Sequence, residues 1–137
     1  MRYIGLDLGH KRTGVALSDP RNIIGSPLGV ISTDATGDAQ LEAWIQAYTI
    51  TALVVGIPKN RYGLPTQQTE WVYDWIKTKK EVWPDLAWHY WNEAYSTQAV
   101  ESVLLSANMT RQKRKAIRDK QAAAFILQGY LDCMNRE

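Results

Sequence analysis

The chain has 137 residues, of which 45% are hydrophobic and 22% are charged. It can therefore form one core of ordinary domain size, and neither a disulfide-stapled scaffold nor a disordered chain is expected. The net charge of +2 is mild, and the single cysteine, Cys133, excludes an internal disulfide and favours the cytoplasm. No apolar run reaches the roughly 18–20 residues that cross a bilayer, and the N-terminus lacks a signal-peptide core. We expect one cytoplasmic domain over residues 1–137.

Strands are predicted first along the chain, followed by strands separated by helices. Leu41, Trp44, Ile45 and Tyr48 show the spacing of one buried helical face. The β-branched segment at 51–55 is typical of a parallel strand covered on both faces. The expected elements are strands at 3–8, 13–18 and 25–32, a helix at 38–48, a strand at 51–55, a loop at 56–65, a helix at 67–79, a strand at 87–91, a helix after Ser96 or Thr97, and a helix at 113–134. This order predicts a mixed α/β sheet with helices on both faces.

Three carboxylates occupy positions where α/β folds build sites. Asp7 interrupts the apolar first strand and shares a face with Tyr3 and Gly5 under two-residue alternation, and Glu93 follows the strand at 87–91. Asp119 lies on a helical stripe that is predicted to face the sheet, together with Ala122, Ala123, Ile126 and Tyr130. Each has a plain structural explanation, such as bonding backbone amides, serving a helix N-terminus or pairing with a neighbouring cation. All three together, on elements that converge, favour a shared site over three separate coincidences.

Positive charge is concentrated near the start of the last helix. The segment contains six cations and one acid, which gives 6 − 1 = +5 and leaves the rest of the chain at 2 − 5 = −3. The cations are Arg111, Lys113, Arg114, Lys115, Arg118 and Lys120. A solvated helix start and a phosphate-binding surface both fit this pattern.

Four sequence blocks resemble the YqgF family, also called RuvX, in order and spacing. The opening block is the most specific of them. The blocks are Gly5-Leu6-Asp7-Leu8-Gly9-His10-Lys11-Arg12-Thr13-Gly14-Val15-Ala16-Leu17-Ser18-Asp19, Val54-Val55-Gly56-Ile57-Pro58-Lys59-Asn60-Arg61-Tyr62-Gly63, Asn92-Glu93-Ala94-Tyr95-Ser96-Thr97-Gln98-Ala99 and Lys115-Ala116-Ile117-Arg118-Asp119-Lys120-Gln121-Ala122-Ala123. The resemblance implies a ribonuclease-H-like fold with a mixed five-stranded sheet whose first three strands form an antiparallel meander. It also implies a nuclease that processes the 5′ end of the 16S ribosomal RNA precursor, with Holliday junction cleavage as the alternative.

The same resemblance implies roles for individual residues. Asp7, Glu93 and Asp119 match the catalytic acids of the family. One block departs from the family pattern, because Asn92 and Ala94 stand where the family usually has aspartate and arginine. This departure leaves open an inactive module that only binds nucleic acid. The residues expected to contact nucleic acid are Lys11, Arg12, Asn60, Lys113, Arg114 and Lys115.

Phosphodiester hydrolysis gives these carboxylates a chemical purpose. Two divalent ions about 3.5–4 Å apart can activate a water and stabilise the leaving oxygen, and carboxylates suit Mg²⁺ or Mn²⁺. Asp7 is the candidate bridging ligand, while Glu93 and Asp119 each complete one metal site. His10 is either a proton shuttle or an exposed loop residue, and the second reading is favoured.

Other residues have ordinary explanations. The six tryptophans fit core packing better than base stacking, His89 is expected to be a strand residue without a chemical role, and Cys133 a buried or inert thiol. The Asp7-Leu8-Gly9 turn with Gly14 also resembles the phosphate loop of actin-like and sugar-kinase ATPases, but those enzymes close a nucleotide between two such domains. The sequence leaves open RNA or DNA as substrate, and a monomer or a homodimer.

Overall fold

The computed structural model of the protein describes the backbone of residues 1–92 and 111–136, and the side chains of residues 1–92 and 121–136. Its strands are β1 (Arg2–Leu8), β2 (Arg12–Ser18), β3 (Gly25–Ser32), β4 (Ile50–Ile57) and β5 (Ala87–Asn92). Its helices are α1 (Ala35–Ala47), α2 (Gln67–Val82) and α3 (Arg111–Met134). The helix predicted after Ser96 or Thr97 lies outside the described residues.

The strands form one five-stranded sheet in the order β3-β2-β1-β4-β5. β1 pairs antiparallel with β2, and β2 with β3, whereas β4 lies parallel to both β1 and β5. The predicted meander and the mixed five-stranded sheet are confirmed. The carboxyl ends of β1, β4 and β5 therefore lie at one edge of the sheet, which we call the carboxyl edge.

Strand alternation divides the interior into two cores. Leu6, Leu53 and Val55 pack on the face that α1 and α2 cover, with Leu41, Val72 and Ile76 from those helices. The opposite face packs Ala16 and Val54 against the apolar stripe of α3, which consists of Ala123, Ala124, Ile126, Leu127 and Leu131. Helices on both faces are thus confirmed, and alternate residues of β1 and β4 face opposite layers.

The helix ends follow local capping chemistry. The Asp34 side chain accepts hydrogen bonds from the backbone N–H groups of Thr36 and Gly37, so α1 begins before its first apolar position. Thr66 and Thr69 form a reciprocal capping box at the start of α2. The predicted start of α1 at residue 38 was wrong, because the first turn carries no apolar face.

Two further expectations are corrected. Gly56 and Ile57 belong to β4 rather than to the following loop, since Gly56 pairs with Trp91 and Ile57 with Asn92. Cys133, predicted to be a buried or inert thiol, is exposed on the outer side of the last turn of α3, so the buried alternative is wrong. The tryptophans do pack, as expected: Trp83 is in the core beneath α1 and α2, and Trp71 borders it.

Within the described ranges, no helix combines the length and the apolar character that crossing a membrane requires.

Candidate active site

Asp7 lies at the carboxyl edge of β1, the middle strand of the sheet. Its partner on β2 is Gly14, and Gly56 follows Val55, the β4 partner of Leu6. Both neighbouring strands therefore offer a glycine, and no side chain from these positions crowds the half-buried carboxylate. Within residues 1–92 and 121–136, no hydrogen bond or ion pair engages it. A half-buried carboxylate in such a place is suited to binding a cation.

α3 packs over the face of β1 that carries Asp7. A Cβ added at Gly5 would lie 2.7 Å from the Cβ of Leu127 and 3.0 Å from the carbonyl oxygen of Ala123. One pleat earlier, the Tyr3 hydroxyl donates to the Sδ of Met134 at 3.6 Å. Moving along β1 toward Asp7 therefore means moving along α3 toward its N-terminus.

Asp119 precedes Ala123 by four residues, about one turn of helix. Its backbone belongs to α3, and its side chain lies outside the described part of the structure. The buried residues of the stripe to which it was assigned, including Ala122, Ala123 and Ile126, do face the sheet.

Glu93 lies outside the described residues, immediately after β5. The last residue of β5, Asn92, pairs with Ile57 at the end of β4. In the described part of the chain, no three acidic, histidine or cysteine side chains are grouped closely enough to hold a metal ion. Of the predicted ligands, only Asp7 has a described side chain, so the three-carboxylate cluster stays a prediction. The donor that is described, an unengaged carboxylate, is of the oxygen type that Mg²⁺ and Mn²⁺ accept.

The turn between β1 and β2 presents two cations at the carboxyl edge. The Gly9 N–H donates to the Arg12 carbonyl oxygen at 3.0 Å, and Thr33 ties the turn to the end of β3 through its N–H to the Lys11 carbonyl at 2.9 Å. The Thr33 hydroxyl also donates to the Gly9 carbonyl at 2.7 Å. The side chains of Lys11 and Arg12 are exposed on this anchored turn, where they are available to phosphates.

His10, in the same turn, is exposed as expected, and its ring contacts two residues of α2. Its Nε2 lies 2.5 Å from the Oε1 of Gln68, and its ring centroid lies 4.2 Å from that of Trp71. Sequence reasoning missed this contact because His10 is about 60 residues from its partners. The one available signal was that Gln68 and Trp71 are three residues apart and share a side of α2.

Asn60 organises the loop between β4 and α2. Its Oδ1 accepts hydrogen bonds from the N–H groups of Tyr62 and Leu64, and its carbonyl oxygen accepts one from Gly63, whose φ is 77°. The contact between Asn60 and nucleic acid stays a prediction, and these hydrogen bonds give Asn60 a structural role in the loop. The same loop exposes the Tyr62 ring, with the Arg61 guanidinium 5.0 Å from its centroid.

Lys113, Arg114 and Lys115 lie in the first turns of α3, and their side chains are outside the described part of the structure.

His89 lies in β5 and stacks on Tyr130 with a distance of 4.9 Å between ring centroids. Burial raises the pKa of the Tyr130 phenol. The stacking gives His89 a packing role within the sheet, where it pairs with Val54 of β4.

Comparison with known proteins identifies the family. A family model described as RuvX, Holliday junction resolvase, matches residues 1–133. The chain belongs to the RuvX family. Two similar proteins, from Desulforamulus reducens and Bacillus subtilis, are 44% and 40% identical over 134 and 139 residues. The alignments cover 96% and 98% of this chain and 97% and 100% of the relatives, and both relatives bear the name "Putative pre-16S rRNA nuclease".

Solved structures agree with the RuvX assignment at the level of the fold. A fowlpox virus resolvase bound to Holliday junction DNA matches with a TM-score of 0.56 and 14% identity, covering 99% of this chain and 100% of that one. RuvC of T. thermophilus bound to a Holliday junction substrate also gives 0.56 and 14%, with coverage of 98% and 97%. The predicted ribonuclease-H-like fold is confirmed.

Proposed function

We propose that residues 1–137 act as one ribonuclease-H-like nuclease domain that hydrolyses phosphodiester bonds in structured nucleic acid. The observation that carries this proposal is Asp7, a half-buried carboxylate on the middle strand, flanked by glycines and engaged by no described partner. A strand interior tolerates such a group only where a cation or donor offsets its desolvation. Membership of the RuvX family supplies the matching chemistry.

Asp7, Glu93 and Asp119 are the proposed catalytic residues and metal ligands. When bound, Mg²⁺ or Mn²⁺, in two sites, supplies an activated water and stabilises the charge of the leaving oxygen. β1 holds Asp7 fixed by pairing on both sides, and α3 brings residue 119 one turn beyond the Gly5 contact. Glu93 is proposed as the third ligand because β5, which it directly follows in the sequence, ends beside β4 at the carboxyl edge.

Cations and a polar loop around the carboxyl edge are the residues proposed to bind the substrate. Lys11 and Arg12 are exposed on a turn that begins two residues after Asp7, and Lys113, Arg114 and Lys115 belong to the helix that carries Asp119. Asn60 shapes the loop at the end of β4. Such contacts bind the phosphate backbone without reading sequence, so specificity would depend on the substrate's shape and on loops.

The proposed substrate is the 16S ribosomal RNA precursor at its 5′ end, and the proposed setting is ribosome biogenesis in the cytoplasm. The names of the Desulforamulus and Bacillus relatives favour this choice. Cleavage of four-way DNA is the second candidate, favoured by the family description and by the resolvase complexes of the same fold.

The test is a nuclease assay with Mg²⁺, with Mn²⁺ and with chelator, on a structured RNA precursor, on single strands and on four-way DNA. We expect metal-dependent cleavage that Asp7→Asn lowers by about 10²-fold or more, because it removes charge from the proposed metal site. Binding should stay intact or tighten, since a carboxylate that repels phosphate is lost. Asp74→Asn, an exposed position on α2, is the matched control.

Each outcome has a distinct meaning. Full cleavage by Asp7→Asn with metal present would refute the proposed mechanism. Binding without cleavage by the unaltered chain would point instead to the inactive module that Asn92 and Ala94 leave open. Preference for the RNA precursor or for four-way DNA decides between the two substrates.

A further inference from the structure

The turn between β1 and β2 packs against the N-terminal end of α2, and the two segments form an open cleft. It has a volume of about 650 Å³ and is lined by His10, Thr66, Gln67, Gln68 and Trp71. This cleft lies on the side of the sheet covered by α1 and α2, whereas Asp7 faces α3. The two sites therefore share the carboxyl edge but lie on opposite faces.

The wall of the cleft is aromatic. The exposed His10 ring lies 4.2 Å from the Trp71 ring, measured between centroids, at an interplanar angle of 43°. Trp71 is half-buried because it also packs against the core beneath α2. The core thus holds Trp71 in place, and Gln68 orients the imidazole through a 2.5 Å contact to its Nε2. An exposed ring that is held on two sides can stack on a ligand with little further loss of side-chain entropy.

The polar groups of the cleft suit the edge of a base. Gln67 is exposed, so its amide can donate and accept, and none of the five lining residues carries a negative charge. Thr66 is occupied in the capping box with Thr69. A cation stands next to the cleft at Lys11, adjacent to His10 in the turn. An exposed aromatic ring, an exposed amide and a nearby cation together match an unpaired nucleotide.

The cleft also lies within reach of the proposed cleavage site. His10 follows Asp7 by three residues, so their Cα atoms are at most about 11 Å apart. A strand crossing the carboxyl edge can place one phosphodiester at Asp7 and a neighbouring base in the cleft.

We propose that this cleft binds an unpaired nucleobase flanking the scissile phosphate, stacked on His10 and supported by Trp71. The inference rests on the proposed nuclease function and gives it a preference for substrates with an unpaired segment beside the cut. Because stacking accepts any base, the site selects for single-stranded character rather than for sequence.

The experiment measures the affinity of labelled single-stranded oligonucleotides and of matched blunt duplexes, in RNA and in DNA, with the full chain carrying Asp7→Asn to prevent cleavage. Adding His10→Ala should weaken binding of single strands by about 5-fold or more and leave duplex binding within about 2-fold. His10→Phe should retain the affinity, because it keeps a ring that can stack. Tyr73→Ala is the matched control, since Tyr73 is an exposed aromatic on α2 that contacts Tyr90 instead of the cleft.

A selective loss in the RNA arm, the DNA arm or both supports the proposal, and the affected arm identifies the nucleic acid. Unchanged single-strand binding by His10→Ala, or an equal loss on duplexes, overturns it. This failure is separable from failure of the proposed function, because that function is tested by cleavage with Asp7 intact and altered. If Asp7→Asn abolishes cleavage while His10→Ala changes nothing, only the cleft assignment is wrong.

Discussion

Gly5 shows how one missing side chain positions the proposed site. The α3 backbone approaches β1 so closely here that a Cβ would come within 3.0 Å of the Ala123 carbonyl oxygen. The opening motif of the chain therefore contributes two residues from adjacent pleats: Asp7, the proposed catalytic acid, and Gly5, whose missing side chain lets α3 approach β1. Sequence inspection alone identifies the glycine without revealing which helix requires it.

Gly5→Ala should destabilise the fold and also reduce cleavage. The added methyl meets the Leu127 Cβ at 2.7 Å and backbone at 3.0 Å, so α3 must shift, at a cost of about 1–3 kcal/mol. Because α3 also carries Asp119, cleavage measured well below the unfolding midpoint should fall more than the unfolded fraction explains. Urea unfolding and cleavage rates, measured on the same samples, provide the check.

Gly29→Ala is the matched control for this change. It is also a sheet glycine, but its methyl meets only the edge of the Trp44 ring at 3.1 Å, on the α1 side. Its cleavage should follow its folded fraction. Equal behaviour of the two variants would show that the close approach of α3 to Gly5 has no special bearing on the site.

Two short segments, the α1 start and the turn between β2 and β3, are fixed by aspartates. Asp34 accepts hydrogen bonds from the Ser32 hydroxyl and from the Gly37 N–H, and these lower its pKa. Asp19 accepts from the N–H groups of Ile24 and Ile23, with the same effect on its pKa. Both carboxylates are surface groups whose charge favours the local backbone geometry.

The fold should therefore lose stability in acid through these two groups. A folded-state pKa below the ordinary ~3.9 stabilises the fold above that pH, and the contribution disappears as the pH falls through the lower folded-state value. Replacing both residues, with Asp19→Asn and Asp34→Asn, should lower the urea midpoint at about pH 6, and the difference from the parent chain should shrink as the pH falls below about 4. The variant's stability should thus depend less steeply on pH.

Urea titrations across that range test the expectation. The same double exchange at two other exposed aspartates, Asp74→Asn and Asp85→Asn, serves as the control and should leave the pH dependence like that of the parent chain. If the stability of the Asp19/Asp34 variant falls with acid as steeply as that of the parent chain, these two carboxylates do not contribute to the pH dependence.

Taken as one molecule, the chain separates its charges along the sequence. The +5 segment lies in α3, and the remaining residues sum to −3. α2 runs from a start beside the carboxyl edge, where its N-terminal residues meet His10, to an end that lies away from that contact. Exposed lysines toward that end, Lys77 and Lys80, provide cations of the same type in a different place.

Removing Lys113 and Arg114 by Lys113→Ala and Arg114→Ala should weaken binding to all nucleic acids by a similar factor. Each lost phosphate contact should flatten the slope of log K against log salt by about 0.9 for duplexes or about 0.7 for single strands. Binding measured across a salt series checks this. The control pair Lys77→Ala and Lys80→Ala should keep the parent's slope. An unchanged slope for Lys113→Ala and Arg114→Ala would show that the basic segment is only a solvated helix start and does not contact phosphates.

Much of the fold followed from periodicity. The two-residue alternation of β1 placed Tyr3, Gly5 and Asp7 on one face, and the 3.6-residue spacing on α3 placed Ala123 and Ile126 toward the sheet; both are confirmed. Element ends were less accurate, because the polar first turn of α1 carries no apolar signal and Gly56 reads as a turn residue although it is paired in β4.

The amino-acid sequence alone identified the family, the strands with helices on both faces of the sheet, and the candidate acids. These features depend on local spacing and on residue type. Contacts between distant segments required the folded arrangement. The approach of Leu127 to Gly5 and the pairing of His10 with Trp71 join residues about 120 and 60 positions apart. No local pattern encodes such contacts, because they are fixed by how the two helical layers pack on one twisted sheet.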